Sequence, residues 1–97
     1  MVKSLNTLEA TVMVDPELLP EPTTVFVSGD DADAKGVVVG LLHDLGWRRS
    51  QVLDLGALRT ARATEHLIVL YYALRDALGT ADFNYRVVRG AELAAGA

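Results

Sequence analysis

Thr23-Thr24-Val25-Phe26-Val27-Ser28-Gly29 runs directly into Asp30-Asp31-Ala32-Asp33-Ala34-Lys35, and this junction decides the fold. The first part is β-branched and aromatic and is stopped by Ser28-Gly29, which is the composition of a strand ended by a turn. The second part opens a helix. Ala34, Val37, Val38, Leu41, Leu42 and Leu45 recur at the spacing of one helical face. Asp30, Asp31 and Asp33 crowd its first turn, where carboxylates accept from free backbone N–H groups and oppose the positive end of the helix dipole. Gly46 stands where a left-handed residue closes a helix, and Trp47 follows in the position that folds back on Leu42. Gly36 and Gly40, inside the helix, read as a close-packing face.

Working outward, Gln51-Val52-Leu53-Asp54-Leu55 is a short strand ending at Gly56. From Leu58 the pattern is helical again as far as Leu78, with Gly79 as its stop. The early part is amphipathic, with Leu58, Ala61, Glu65, Ile68 and Tyr72 in register. Residues 67–74 are apolar on every side, which implies cover from more than one layer and reads as a subunit or domain contact. Residues 82–89 alternate with a period near two and predict a strand exposed on one face, and 90–97 form a small-residue tail expected to fray. On the amino-terminal side, Val2 begins another strand. A short helical turn at 9–13 and a loop closed by Pro20-Glu21-Pro22 separate it from the opening junction. The expectation is one α/β domain over residues 1–97, with strands near 2–6, 23–28, 51–54 and 82–89 and two long helices near 31–45 and 57–78. Helical crossovers link the first strands, so the small sheet is expected to be mostly parallel.

Composition removes several classes of function. At 97 residues with 51% hydrophobic content, the chain is a small folded domain and not a disordered one. A net charge of −4 and a pI near 4.9 lack the electrostatic footprint of a nucleic-acid binder. There is no cysteine, hence no disulfide, thiolate nucleophile or cysteine-held metal. No basic segment followed by an apolar run marks a secretory signal, and the longest apolar run is far short of a bilayer span. A cytoplasmic protein without a membrane partner is expected.

Several motifs then fall in a telling order: Val2-Lys3-Ser4-Leu5-Asn6-Thr7, Ser28-Gly29-Asp30-Asp31, Leu45-Gly46-Trp47, and Asp54-Leu55-Gly56-Ala57-Leu58-Arg59-Thr60-Ala61-Arg62-Ala63-Thr64-Glu65. Over roughly residues 2–89 this order resembles the NADP oxidoreductases that depend on the deazaflavin coenzyme F-420. In that family a Val-Lys-Ala-Phe-Asn-Thr strand end closes a Rossmann domain. A Ser-Gly-Asp-Asp turn follows, and then an Asp-x-Gly-x-Leu-x-x-Ala-Arg-x-x-Glu helix start. The resemblance implies NADP and the deazaflavin coenzyme as cofactors. It also implies that this chain supplies the C-terminal, redox-cleft portion of the fold. The family's Gly-x-Gly-x-x-Gly phosphate turn is absent: the eight glycines, at 29, 36, 40, 46, 56, 79, 90 and 96, never give that spacing. The chain therefore looks like a truncated reductase, inactive alone, whose partner is a complementing Rossmann half or a second copy in a homodimer. A non-catalytic dimerisation or interaction module derived from that fold is the alternative.

The resemblance places Asn6 and Leu8, with the adjoining Thr7, along the redox cleft, and Arg62 beneath it. An Asn amide at a sheet's carboxyl edge can donate to and accept from a carboxamide or ring carbonyl, although an Asn that holds its own turn is an equal reading. Arg62 and Glu65 at i, i+3 are also readable as a surface ion pair. The three aspartates read as caps and not as a metal site. His43 is expected on a solvated helix face, His66 at a packing boundary, and Tyr71 and Tyr72 in a core or an interface. No Ser-His-Asp order, paired-carboxylate spacing or zinc motif is present, so no catalytic or metal-binding residue is assigned.

Overall fold

A computed structural model describes residues 1–4 and 10–90. Three strands form one sheet in the order β1 (Val2–Ser4), β2 (Val25–Gly29), β3 (Val52–Gly56). Four α-helices accompany it among the described residues: α1 (Ala10–Val14), α2 (Ala32–Asp44), α3 (Ala61–Glu65) and α4 (Leu67–Leu78). The fold class is α/β, as expected, and β2 and β3 run parallel with α2 as their crossover. The sheet as a whole is mixed, because β1 runs antiparallel to β2, with Val2 opposite Gly29 and Ser4 opposite Val27. Among the described residues, the connection from β1 to β2 holds α1 and a short 3-10 turn, Pro16–Leu18.

The opening junction folds as its residues dictate. Val25 and Val27, two apart on one face of β2, are fully buried with Leu42 of α2, Val12 of α1 and Trp47. The carboxylate of Asp31 accepts from the backbone N–H groups of Asp33 (2.9 Å) and Ala34 (3.3 Å), making it the N-cap of α2. At the other end the Trp47 N–H donates to the Leu42 carbonyl and the Gly46 N–H to the His43 carbonyl, both at 3.0 Å. Gly46 has φ 108°, the left-handed geometry this termination needs, and the chain then turns Trp47 back against Leu42. The Trp47 indole N–H donates to the Met13 carbonyl at 3.0 Å, so its one polar atom is satisfied and α1 is tied to the end of α2.

Only part of the expected α2 face is buried. Val38, Val39 and Leu45 pack on the core with Leu42, whereas Val37 and Leu41 are exposed at 66% and 57%. Gly36 and Gly40 are exposed as well, and a Cβ built on either meets no atom within 4 Å, so no described residue packs closely there. The glycine that does serve a close approach is Gly29, where a Cβ would come within 3.1 Å of Val2 of β1 and of Lys35 of α2.

Two expected elements differ. The helix near 57–78 is three pieces: a 3-10 turn (Leu58–Thr60), α3, and α4 after a turn at His66. Thr60 and Thr64 each donate their hydroxyl to the carbonyl three residues back, Ala57 at 2.6 Å and Ala61 at 2.9 Å. Such back-bonding competes with the regular helix ladder and bends it. Residues 82–89 are not a strand. The Thr24 N–H donates to the Tyr85 carbonyl at 2.8 Å, but the next bond runs from the Val87 N–H to the Thr24 hydroxyl at 2.9 Å, so no backbone ladder propagates. The segment is pinned to the amino end of β2 by side chains instead, with the Asn84 amide donating to the Thr23 hydroxyl and the Thr24 carbonyl. The frayed tail expected at 90–97 falls mostly on residues outside those described.

Candidate functional site

In a parallel pair both carboxyl ends reach the same edge, which is where open α/β sheets accept ligands. Here that edge carries Asp30, directly after β2, and the 3-10 turn that follows β3. Because β1 is antiparallel, it is the start of that strand that arrives there, with Met1 and Lys3. Helix α3 begins at the same edge. Together these elements border an open cleft of about 490 Å³ lined by Met1, Lys3, Asp30, Arg59, Arg62 and Glu65, among others.

The acids of this cleft are already engaged. The Asp30 carboxylate accepts from the Leu58 backbone N–H at 3.0 Å, fastening the turn after β3 to the end of β2. Asp30 thus serves the segment after β3, whereas Asp31 caps α2. Glu65 is ion-paired and hydrogen-bonded to Lys3, and the Lys3 hydrogen bond and charge hold its carboxyl below the ordinary range. Of the two readings of Arg62 and Glu65, the surface ion pair is not made at contact distance: Glu65 meets Lys3, and Arg62 lowers its carboxyl only through its charge. Arg59 and Arg62, both exposed, have no hydrogen-bond or ion-pair partner among the described residues. Beside the cleft, Lys35 of α2 pairs with Asp54 at 3.1 Å and donates to the Gly56 carbonyl at 3.3 Å. Burial pushes the Asp54 carboxyl up, but the Gly56 N–H (2.7 Å) and Lys35 outweigh it, and the net shift is downward. Two unpaired guanidiniums beside engaged carboxylates can hold an anionic group or a carbonyl oxygen.

Of the residues expected at the site, Arg62 is at this edge. Asn6, Thr7 and Leu8 lie outside the described residues. Sequence reasoning missed Lys3 and Arg59. Arg59 stands three residues before Arg62, and that spacing could have found it. Lys3 meets Glu65 across 62 residues, and nothing local announces such a contact. His43, expected to be solvated, is exposed, but its Nδ1 hydrogen-bonds the Trp47 carbonyl at 2.8 Å. Tyr71 lies in an aromatic row with Phe83 and Tyr85, the Tyr71 and Phe83 centroids 5.3 Å apart. No group of three or more metal-ligating side chains occurs among the described residues, and no described helix is long and apolar enough to cross a membrane.

Comparison with known proteins agrees with the motifs. No protein-family model and no curated protein matches the chain. A solved structure does: the crystal structure of a candidate F-420-dependent NADP reductase from Arthrobacter sp. FB24. It superposes with a TM-score of 0.86 at 47% identity over 91% of this chain. The chain spans 39% of the length of that protein. In sequence and in fold, the chain is similar to the C-terminal portion of an F-420-dependent NADP reductase of this kind.

Proposed function

We propose that this chain forms the redox-cleft portion of an oxidoreductase that uses NADP and the deazaflavin coenzyme F-420. The observation that carries the reading is the match, at 47% identity and a TM-score of 0.86, to a protein described as such a reductase. The cleft at the carboxyl edge supports it, with Arg59 and Arg62 free to meet a carboxamide, carbonyl or phosphate. When bound, the two cofactors supply the hydride donor and acceptor. The work left to the protein is to hold the rings near contact and to exclude water. Few acid–base groups are needed for that, in keeping with the side chains present. Arg62 is assigned to orient a cofactor, and Asn6, Thr7 and Leu8 to line its path. The reaction is placed in the cytoplasm.

The 97 residues hold no Gly-x-Gly-x-x-Gly turn. The start of α2 is no substitute for one, because Asp31 already fills it and Asp33 adds a second carboxylate. The pyrophosphate of NADP must therefore be gripped by a complementing Rossmann half. Fluorescence titration of the 97-residue chain is expected to show no saturable NADPH binding in the micromolar range. Addition of the separately produced Rossmann portion of the Arthrobacter protein is expected to restore hydride transfer from NADPH to F-420, and Arg62→Ala to slow it. Micromolar NADPH binding by the chain alone, or no transfer in the complemented mixture, would overturn the reading.

One observation favours the second reading, an interaction module. Helix α4 buries none of its residues, and Ile68, Val69, Leu70, Tyr72 and Leu78 are exposed. A homodimer is the simplest assembly that covers them.

A further inference from the structure

We infer that a second cleft, at the amino edge of the parallel pair, binds a small organic phosphate through Arg49 and Arg89. This cleft, of about 350 Å³, lies at the opposite end of the strands from the one described above. Its wall includes Thr24, immediately before β2, and Val52, the first residue of β3. Arg49 and Ser50 come from the 3-10 turn that leads into β3 (Arg49–Gln51), and Val87 and Arg89 from the segment pinned to Thr23 and Thr24.

Unpaired cations with no acid beside them set it apart. The chain has 13 acidic and 9 basic residues. Lys3, Lys35 and Arg48 are ion-paired with Glu65, Asp54 and Glu17, and Arg75 lies 5.0 Å over the Tyr72 ring. Arg49 and Arg89 have no such partner among the described residues, come from segments far apart in sequence, and line one concavity that contains no acid. The carboxyl-edge cleft, by contrast, mixes its cations with Asp30 and Glu65. In an acidic protein, two unopposed guanidiniums on one open concavity concentrate positive potential there. Two guanidiniums match a phosphate dianion in charge and in paired donor geometry, and the Ser50 hydroxyl adds a donor. Val52 and Val87 offer an apolar wall for the body of the ligand. The volume is at the lower end for small-molecule sites, so the ligand is a compact monoester and not a dinucleotide.

The test uses the full chain and three probes: phenyl phosphate, benzoate and benzyl alcohol, each titrated by calorimetry at low ionic strength. Phenyl phosphate is expected to bind saturably and benzyl alcohol not at all. Arg49→Gln and Arg89→Gln are each expected to weaken binding about tenfold or more, in line with loss of a charge-assisted contact. Arg49→Lys should retain part of the affinity, and circular dichroism should show every variant folded. Arg59→Gln and Arg62→Gln, in the redox cleft, should leave phenyl phosphate binding unchanged, which separates this site from the proposed function. Absence of saturable binding would overturn the inference, as would benzoate binding equally well or loss of binding in the Arg59 or Arg62 variants. Dissociation of a dimer by Arg49→Gln would overturn it too, by showing that the cleft receives an acidic side chain of a second copy.

Discussion

Trp47 shows how much a single side chain can fix in so small a core. It is 1% exposed, its indole is bonded to Met13, its backbone closes α2, and its ring packs with Leu42 and Val12. Trp47→Ala removes all of the ring contacts, and denaturant titration is expected to show a loss of about 3–5 kcal/mol, enough to unfold a marginal domain. Asp54 makes a different kind of contribution, one that depends on pH. Its carboxyl is held below its ordinary value of 3.8, since the Gly56 N–H and Lys35 outweigh the opposing effect of burial. The unfolded chain therefore binds the proton more readily, and the stabilisation is present above the ordinary value and is lost as pH falls through the depressed one. Asp54→Asn is expected to be less stable than the parent near neutrality. The difference should shrink to nothing as both are titrated into acid, and a difference independent of pH would show that Asp54 acts by hydrogen bonding alone. Both residues were visible in the sequence, but only Trp47 had its role written there. A helix stop followed by an aromatic is a local pattern, whereas Lys35 reaches Asp54 from another element.

At the scale of elements, the pattern was legible where one local rule settled the outcome. Strand β2 and helix α2 carry their own start, face and stop, and they form within a residue or two of the expected bounds. Strand direction was not legible, because antiparallel pairing of β1 depends on which end of the segment reaches Gly29. Nor was the break near His66, where threonine hydroxyls compete with the helix ladder. Residues 82–89 are the clearest case. Their alternation is real, yet Thr23 and Thr24 answer with side chains, and the segment is held without becoming a strand. Asn84 is the main fastening, and its Oδ1 is buried without a partner. Asn84→Ala should cost about 1 kcal/mol, since it removes two bonds together with that unsatisfied atom. It should also speed amide exchange at Thr24, whose N–H is bonded to the Tyr85 carbonyl. Unchanged exchange there would show that the aromatic row of Tyr71, Phe83 and Tyr85 holds the segment by itself.

For the whole molecule, the question is what covers the apolar surface that the fold leaves open. The sequence already marked residues 67–74 as needing more than one layer, and among the described residues the fold covers them only in part: Tyr71 packs on Phe83, but Val69 is 75% exposed and no α4 residue is fully buried. On α2, Val37 and Leu41 add a second exposed apolar strip, beside glycines that leave room for a close neighbour. Among the described residues, strand β1 spans three residues, lies at the outside of the sheet and pairs on one side alone. Exposed apolar faces of this kind mark interaction surfaces. A complementing Rossmann half would cover them in one way and a second copy in another. In the absence of the first, the proposed homodimer is the closed arrangement that relieves both, and a standard interface needs only about 800 Å² from each partner. Sedimentation equilibrium at tens of micromolar is expected to give a mass above 10.4 kDa for the chain alone. Val69→Glu places a charge at the most exposed apolar position of α4 and touches no core residue, so it should return the chain to monomer without loss of fold. Addition of the Rossmann portion should compete with the dimer if both use α4. A single species at the chain mass would remove the homodimer and leave the heterologous partner as the remaining way to cover that helix.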